Sequence, residues 1–424
     1  CNGFDVHDLG VMVDKETILD EAERIGADIV AVSGLITPSL FQMEEICKEM
    51  QSRGMSVPLF VGGATTSALH TAVRLAPLYG HVFHGADASA AAVMAKKCMM
   101  DRTAFEEEQH MEQENIRRIY EKSVSVQPNT GKAEKLNHPE STPLPEDIPA
   151  RELKAEDVMQ YFDWKMFYAI WGVKYGTISP EAMELMQLRQ DAEDELTLGN
   201  YVIRVSARFV EAVTDGKDII TEAGRLPMLR QESGEMRSLC DYIAPEGSGK
   251  TSPLGTFTVS VKAKNSAHEE GCCCPACSNK YEDMIAKAVR MTLAEAASRW
   301  LDREILRSAQ DNKRSQDDKR AQDDKRTQDN IKIIKPAAGY SSCPDHTLKQ
   351  DIIRMLDGRY SLGIKLTESY AMIPEASICG LIFLHPQAKY HEIRRISSGQ
   401  YEDYARRRGM DEDRAHRFLG HLLK

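Results

Sequence analysis

Pro58-Leu59-Phe60-Val61-Gly62-Gly63-Ala64-Thr65-Thr66-Ser67 decides how the first hundred residues are read. A short apolar run meets two glycines and then a series of hydroxyls, the pattern of a buried strand whose carboxyl end opens into a loop. The same grammar recurs on both sides. Asp28-Ile-Val-Ala-Val-Ser33 runs into Gly34, and His81-Val-Phe-His84 runs into Gly85-Ala86-Asp87-Ala88-Ser89. Helical spacing lies between them. Ile18, Leu19, Ala22 and Ile25 mark Lys15 to Ile25, Leu40 to Met50 is amphipathic behind Ser39 as N-cap, and Ser89 to Lys97 is Ala-rich. Phe4 to Gly10 alternates and reads as a further short strand. Strand and helix in alternation predict a parallel sheet with helices on its faces, a Rossmann-like α/β domain over residues 1–98. Ligands of such sheets sit at the carboxyl ends of the strands, so the loops after Ser33, Gly63 and Gly85 form one candidate pocket. No Gly-x-Gly-x-x-Gly fingerprint or Walker loop is present, which removes support for dinucleotide or nucleoside triphosphate binding.

The chain has 424 residues, enough for two or three domains, with 42% hydrophobic and 28% charged residues. Lys and Arg number 54 against 65 Asp and Glu, a formal charge of −11. Such a balance disfavours general nucleic-acid binding. No stretch approaches the roughly 20 apolar residues of a membrane span. The sequence starts Cys1-Asn2-Gly3-Phe4, without Met and without a secretory leader, and is expected to be truncated within a longer protein. Its ten cysteines are then expected to be reduced thiols of a cytoplasmic protein.

Residues 99–150 read as a charged helix, 101–121, followed by a linker carrying Pro128, Pro139, Pro143, Pro145 and Pro149. Residues 151–424 mix helix and strand, an α+β domain. Helical segments are Ala155–Tyr161, Pro180–Leu196 and Tyr281–Leu306; strands are Tyr201–Phe209, Thr256–Val261 and Cys379–Leu384. Within them, Gln310-Asp-Asn-Lys-Arg-Ser315 begins a six-residue repeat that ends near 330, almost without apolar residues. The segment 308–330 reads as a solvated insertion, disordered or a frayed helix.

Four words stand out in the second domain: Tyr161-Phe-Asp-Trp164, Lys335-Pro-Ala-Ala-Gly-Tyr-Ser-Ser-Cys-Pro-Asp-His346, Thr367-Glu-Ser-Tyr-Ala-Met372 and His385-Pro-Gln-Ala-Lys-Tyr390. A Gly-Tyr turn, carboxylates and aromatics suit a ligand with an ammonium group and a flat ring. Cys274 and Cys277 have zinc-knuckle spacing with His268 nearby, but no second ligand pair is evident, and a thiol-bearing loop is the alternative. Cys343 beside His346 invites a nucleophile reading, against which stands a turn-shaping role.

Ser33-x-Leu35-x-Thr37 with Val61-Gly-Gly-Ala-Thr-Thr-Ser-Ala-Leu-His-Thr-Ala-Val73, and Asp8-Leu-Gly-Val-Met-Val13 before them, resemble the cobalamin-binding domain of cobalamin-dependent methionine synthases. The resemblance implies a flavodoxin-like fold, incomplete at its start, with cobalamin (as methylcobalamin) contacted by Ser33, Leu35, Thr37, Gly62, Gly63 and Ala88. Asp5-Val-His7-Asp-Leu-Gly10 fits the family's cobalt-ligand pattern, yet Ser33 follows His7 by 33 − 7 = 26 positions. The ligand loop is therefore expected upstream of residue 1, His7 being the weaker candidate, and this chain is expected to hold cobalamin weakly or not at all.

The four later words resemble, in order, the activation domain of the same family, over nearly all of 150–424 outside the insertion. That implies S-adenosylmethionine bound by Asp163, Lys335 and Tyr390 with His391 beside it, and Gly339 and Tyr340 as loop contacts. Two positions depart from the family: Lys335 stands for the usual Arg, a point charge in place of a planar fork, and His391 for the usual Tyr. The implied activity is reductive methylation of cob(II)alamin by S-adenosylmethionine, with an electron from a reduced flavodoxin-type partner. The parent enzyme transfers methyl from methyltetrahydrofolate to homocysteine, and its homocysteine and folate domains, with the zinc they carry, are absent here. This chain alone is not expected to make methionine, and no general base is assigned, since transfer of a sulfonium methyl needs none. The alternatives are a stand-alone corrinoid carrier, which the second-domain words oppose, and a non-catalytic fragment that binds corrinoid or a partner, which Lys335 favours.

Overall fold

Val30–Ser33 (β1), Leu59–Gly62 (β2) and Val82–His84 (β3) pair in parallel in the order β1-β2-β3, and the register sets Ser33 beside Gly62. The computed structural model describes residues 3–10, 13–34, 38–63, 66–124, 136, 138, 144–170, 181–198, 201–264, 281–317 and 331–423. Two units divide them: 1–130 with 410–423, and 131–409.

In the first unit the helices are Lys15–Ile25 (α1), Pro38–Ser52 (α2), Ala68–His70 (α3, continued by a π turn to Leu75), Ala88–Met100 (α4) and Arg102–Val124 (α5). Asp14 caps α1 by accepting from Thr17 N at 2.8 Å, and Gly26 ends it in the left-handed region. Asp87 caps α4 in the same way. Ser39 is the second residue of α2, inside the helix and not its cap. Leu19, Met43, Ile46, Cys47, Met50, Leu59, Val61, Leu75 and Val82 form the core between helices and sheet.

Two expectations change here. Phe4–Gly10 forms no strand, and Val6 is 77% exposed. In a flavodoxin-like order the second strand pairs only with the first, and no such strand occurs among the described residues, so alternation alone finds no ladder partner. The charged helix α5, read with the linker, packs into the first unit: Phe105 is buried against Phe60 and Phe83 with ring centroids 5.9 and 5.1 Å away. The segment Glu412–Leu419 is helical and also belongs to this unit, packing on α2.

Burial first, then neighbouring cations, pushes two histidines of the first unit down from 6.5 to about 4: His70 beside Arg74 and His84, and His421 beside His70 and Arg74. Their folded values lie below the unfolded one, so the unfolded chain takes up protons first. The stability is whole above pH 6.5 and drains as pH falls toward 4. Relative to a His70→Gln/His421→Gln variant, the first unit should lose about 4–5 kcal/mol between pH 7 and pH 4.5, roughly half from each histidine. Denaturant melts at the two pH values check this, and equal losses in both proteins would refute it.

The second unit is built on an antiparallel sheet. Its strands are Ile148–Leu153 (β4), Tyr201–Thr214 (β5), Asp218–Thr221 (β6), Gly224–Pro227 (β7), Ser252–Ala263 (β8), Lys332–Ile334 (β9) and Ser377–His385 (β12), in the order β7-β6-β5-β8-β12-β9 with β4 also on β5. Lys365–Leu366 (β10) and Met372–Ile373 (β11) make a separate small ladder. The helices are Ala155–Val158 (α6), Trp164–Ile170 (α7), Glu181–Leu198 (α8), Tyr281–Asp317 (α9), Leu348–Met355 (α10) and Ser398–Arg408 (α11); Glu412–Leu419 in the first unit is α12. Ile285, Ala288, Val289, Leu293, Ala296, Ala297, Trp300, Leu301 and Ile305 recur at three- and four-residue spacing and lay one face of α9 on the sheet. The helix outlasts its expected end at Leu306 and takes in the first hexapeptide, Gln310–Ser315, because Gln, Lys and Arg continue a helix already nucleated. The rest of the insertion from 318, most linker prolines and Cys272–Cys277 lie outside the described residues.

Candidate functional site

At the carboxyl ends of β1 to β3 the three loops do converge. Gly34 N donates to Gly62 O and Gly85 N to Val61 O, both at 2.9 Å. Gly63 has φ +100°, and a Cβ there would lie 2.2 Å from Gly34 O and 2.8 Å from Ser33 Oγ. A Cβ on Gly62 would meet Gly85 O at 3.1 Å. The backbones are thus stacked as closely as glycine permits, giving a cradle with Ser33 on its exposed rim. Such a surface suits a broad, flat ligand held by main-chain and hydroxyl groups. Ala88 is exposed in the first turn of α4. Leu35 and Thr37 fall outside the described residues. His7 lies in the exposed 3–10 segment, where its Nε2 meets Glu21 of α1 at 2.7 Å. Arg24 and that histidine hold Glu21 down to about 2.

In the second unit the site grows from one face of α9. Glu295, Arg299 and Asp302 follow at i, i+4 and i+7. Arg299 reaches Asp163 Oδ2 at 2.8 Å. Asp163 Oδ1 meanwhile accepts from Lys165 N at 3.0 Å and Met166 N at 3.3 Å, so one carboxylate starts α7 and binds α9. The Arg299 hydrogen bond holds the Asp163 carboxyl below its ordinary value. Asp302 meets Lys335 Nζ at 2.7 Å. Burial raises the Glu295 and Asp302 carboxyls, and the Lys335 ammonium opposes this in both.

The loop after β9 closes the site. Lys335 N donates to the Tyr390 hydroxyl at 2.8 Å. Gly339 N donates to Cys343 O at 2.7 Å and Cys343 N returns to Tyr340 O at 2.8 Å, a tight turn that needs Gly339 at φ +98°. Tyr340 and Tyr390 are 70% and 60% exposed, so two rings stand open to solvent where side chains of this size are usually buried. Carboxylates on a helix face and open aromatic rings form a surface for a cation attached to a flat group.

Asp163, Lys335, Gly339, Tyr340 and Tyr390 therefore belong to one region, linked through α9, but two expected contacts are altered. The Lys335 ammonium does not face outward. It is buried, donates to Ser298 Oγ at 2.6 Å and to Ser298 O, and lies 5.0 Å from the Phe257 ring centroid. A flexible stem with one point charge turns inward to a carboxylate, and only its backbone remains at the site. His391 is buried too; its backbone N–H and C=O both engage Ser342 Oγ, and burial lowers its imidazole. It supports the loop from within. Glu295, Ser298, Arg299 and Asp302 escaped the sequence reading, although their spacing on a recognised helix was available. Cys343 is fully enclosed and its thiol is pushed well up by burial, which suits turn formation and not nucleophilic attack.

Residues 154–409 match the family described as vitamin B12 dependent methionine synthase, activation domain, and residues 2–93 the family described as B12 binding domain. Among solved structures the chain is similar to the MetH reactivation domain bound to AdoHcy, with 28% sequence identity, a TM-score of 0.56, and coverage of 67% of this chain and 93% of that one.

Proposed function

We infer the roles of individual residues from one premise: the chain belongs to the vitamin B12-dependent methionine synthase family, as its cobalamin-binding and reactivation region. The reaction of that region is reductive methylation of cobalamin by S-adenosylmethionine. When bound, cobalamin supplies the cobalt that accepts one electron and the methyl cation, leaving the thioether S-adenosylhomocysteine. Gly62, Gly63 and Ser33 hold the flat cofactor at the strand ends, with Ala88 at its margin; the close stacking of the three loop backbones there, with Ser33 exposed on the rim, is what supports this fit. Tyr340 and Tyr390 hold the ligand's ring system, Asp163 and Glu295 its positive charge, and Gly339 the turn between them. Arg299, half exposed beside Asp163, replaces Lys335 as the cation facing the ligand's carboxylate. The task of these side chains is to orient the sulfonium methyl and exclude water.

The electron comes from a reduced flavodoxin-type protein. In the parent enzyme, homocysteine and folate domains with a zinc ion work beside this region, in the cytoplasm, to make methionine. Among the described residues no helix is long and apolar enough to cross a membrane. The inward turn of Lys335 favours a second reading, a fragment that binds corrinoid or a partner without catalysis.

Calorimetry with S-adenosylhomocysteine separates the two. One-to-one binding is expected, weakened about tenfold or more in Asp163→Asn, which keeps the α7 cap and removes the charge. No binding to the unaltered chain would favour the fragment reading.

A further inference from the structure

The Thr367–Met372 word has no part in the site as described, yet a buried lysine connects it to the ligand loop. Lys349, on α10, is 5% exposed. Its Nζ donates to Tyr370 O at 2.9 Å and lies 3.0 Å from His346 Nδ1. An ammonium only donates, so Nδ1 accepts and the imidazole proton sits on Nε2. The His346 ring lies directly against Gly339: a Cβ on that glycine would be 2.3, 2.4 and 2.7 Å from Cε1, Nδ1 and Nε2. Tyr340, the open ring, is the next residue. At the other end Tyr370 sits at φ +60°, a left-handed conformation unusual for tyrosine, within a turn where its N–H donates to Thr367 O at 2.9 Å and Ala371 N to Thr367 Oγ1 at 3.1 Å.

We propose that Lys349 is a positioning residue for the ligand site: it ties the 367–372 turn to the His346 ring, and the ring fixes the Gly339–Tyr340 backbone against which the S-adenosyl ligand is held. The proposal rests on the reading of the 335–346 loop as the S-adenosyl site. Lys349 touches no ligand. It acts through His346, which can neither tilt nor change tautomer while the ammonium faces Nδ1. The ring in turn cannot move without displacing Gly339, because no side-chain atom separates them.

The test uses the full chain, calorimetry with S-adenosylhomocysteine, and 15N resonances of the His346 ring. Lys349→Met keeps the stem and removes the donors; His346→Gln keeps a polar group and removes the ring. Each is expected to weaken binding about tenfold, and the double variant is expected to bind no more than about threefold worse than the weaker single, since both break one linkage. Lys349→Met should also lose the Nε2–H tautomer signature, which a generally loosened fold would not shift selectively. If Lys349→Met does not fold, His346→Gln carries the affinity test. Binding within twofold of the unaltered chain in a folded variant overturns the proposal and leaves the site reading intact. Failure of the unaltered chain to bind overturns both.

Discussion

Replacing Gly63 by Ala is expected to lower the unfolding free energy of the first unit by about 2–4 kcal/mol and to weaken cobalamin uptake at least tenfold. Two costs add. A left-handed φ of +100° strains any residue with a Cβ, at roughly 1 kcal/mol or more. The new atom would then lie 2.2 Å from Gly34 O and 2.6 Å from Gly34 N, which are main-chain atoms that no rotamer change can move aside. Gly34 N donates to Gly62 O, so relief of the clash opens the contact that joins two of the loops. Denaturant melts give the first quantity and a visible-absorbance titration with cobalamin the second. A variant that melts like the unaltered chain would show that the loop yields freely. A variant that melts lower but binds equally would separate the cradle from the cofactor.

Asp302→Ala is the second large effect. It leaves the Lys335 ammonium buried beside Ser298 and Phe257 without its carboxylate, and removal of one partner from a buried ion pair costs about 3–5 kcal/mol. Asp302 keeps some solvent contact, so about 2–4 kcal/mol is expected. The deficit should depend on pH. Burial lowers the Lys335 ammonium from 10.5, and the loss of Asp302 removes the stronger of the two carboxylates that oppose the shift, leaving only Glu295. A cation whose folded value lies below its unfolded one destabilises most at low pH and is relieved as pH rises toward 10.5. The gap between variant and parent should therefore narrow from pH 7 to pH 9.5. Lys335→Met combined with Asp302→Leu should recover most of the loss, since an apolar pair of similar volume often matches a buried ion pair. A deficit constant with pH would mean that Lys335 is not the group left uncompensated.

What could be read from the residues follows the range of the physics involved. Strand ends at Ser33, Gly62 and His84, and the glycines after them, are local patterns, and they stand where the alternation put them. Tyr201–Phe209 and Thr256–Val261 lie within β5 and β8, which run longer because twelve residue pairs join them, a gain that neither segment reveals alone. Phe4–Gly10 fails for the opposite reason: a strand needs a neighbour, and period-two alternation is silent about one. The side-chain direction of Lys335 was beyond reach, because it depends on Asp302 and Ser298 from a helix more than thirty positions earlier. The α9 stripe was within reach. Glu295, Arg299 and Asp302 share a face by spacing alone, but the apolar stripe of the same helix drew the reading.

Helix α5 fastens itself to the first unit through main-chain acceptors. Gln113 Nε2 donates to Val82 O and His110 Nε2 meets Gly80 O, each at 2.8 Å; Arg117 reaches Ala72 O at 3.1 Å and Arg102 reaches Ser56 O. A carbonyl oxygen is the same acceptor whichever residue bears it. The dependence between the two partners is therefore one-sided over generations of sequence change. Positions 56, 72, 80 and 82 are at liberty, as far as these bonds go, to drift among residues that keep the backbone path. Positions 102, 110, 113 and 117 must keep a polar group of the right reach. Substitution should accumulate unevenly across this contact, and pairwise covariation, the usual trace of two residues touching, should be faint where the packing is close.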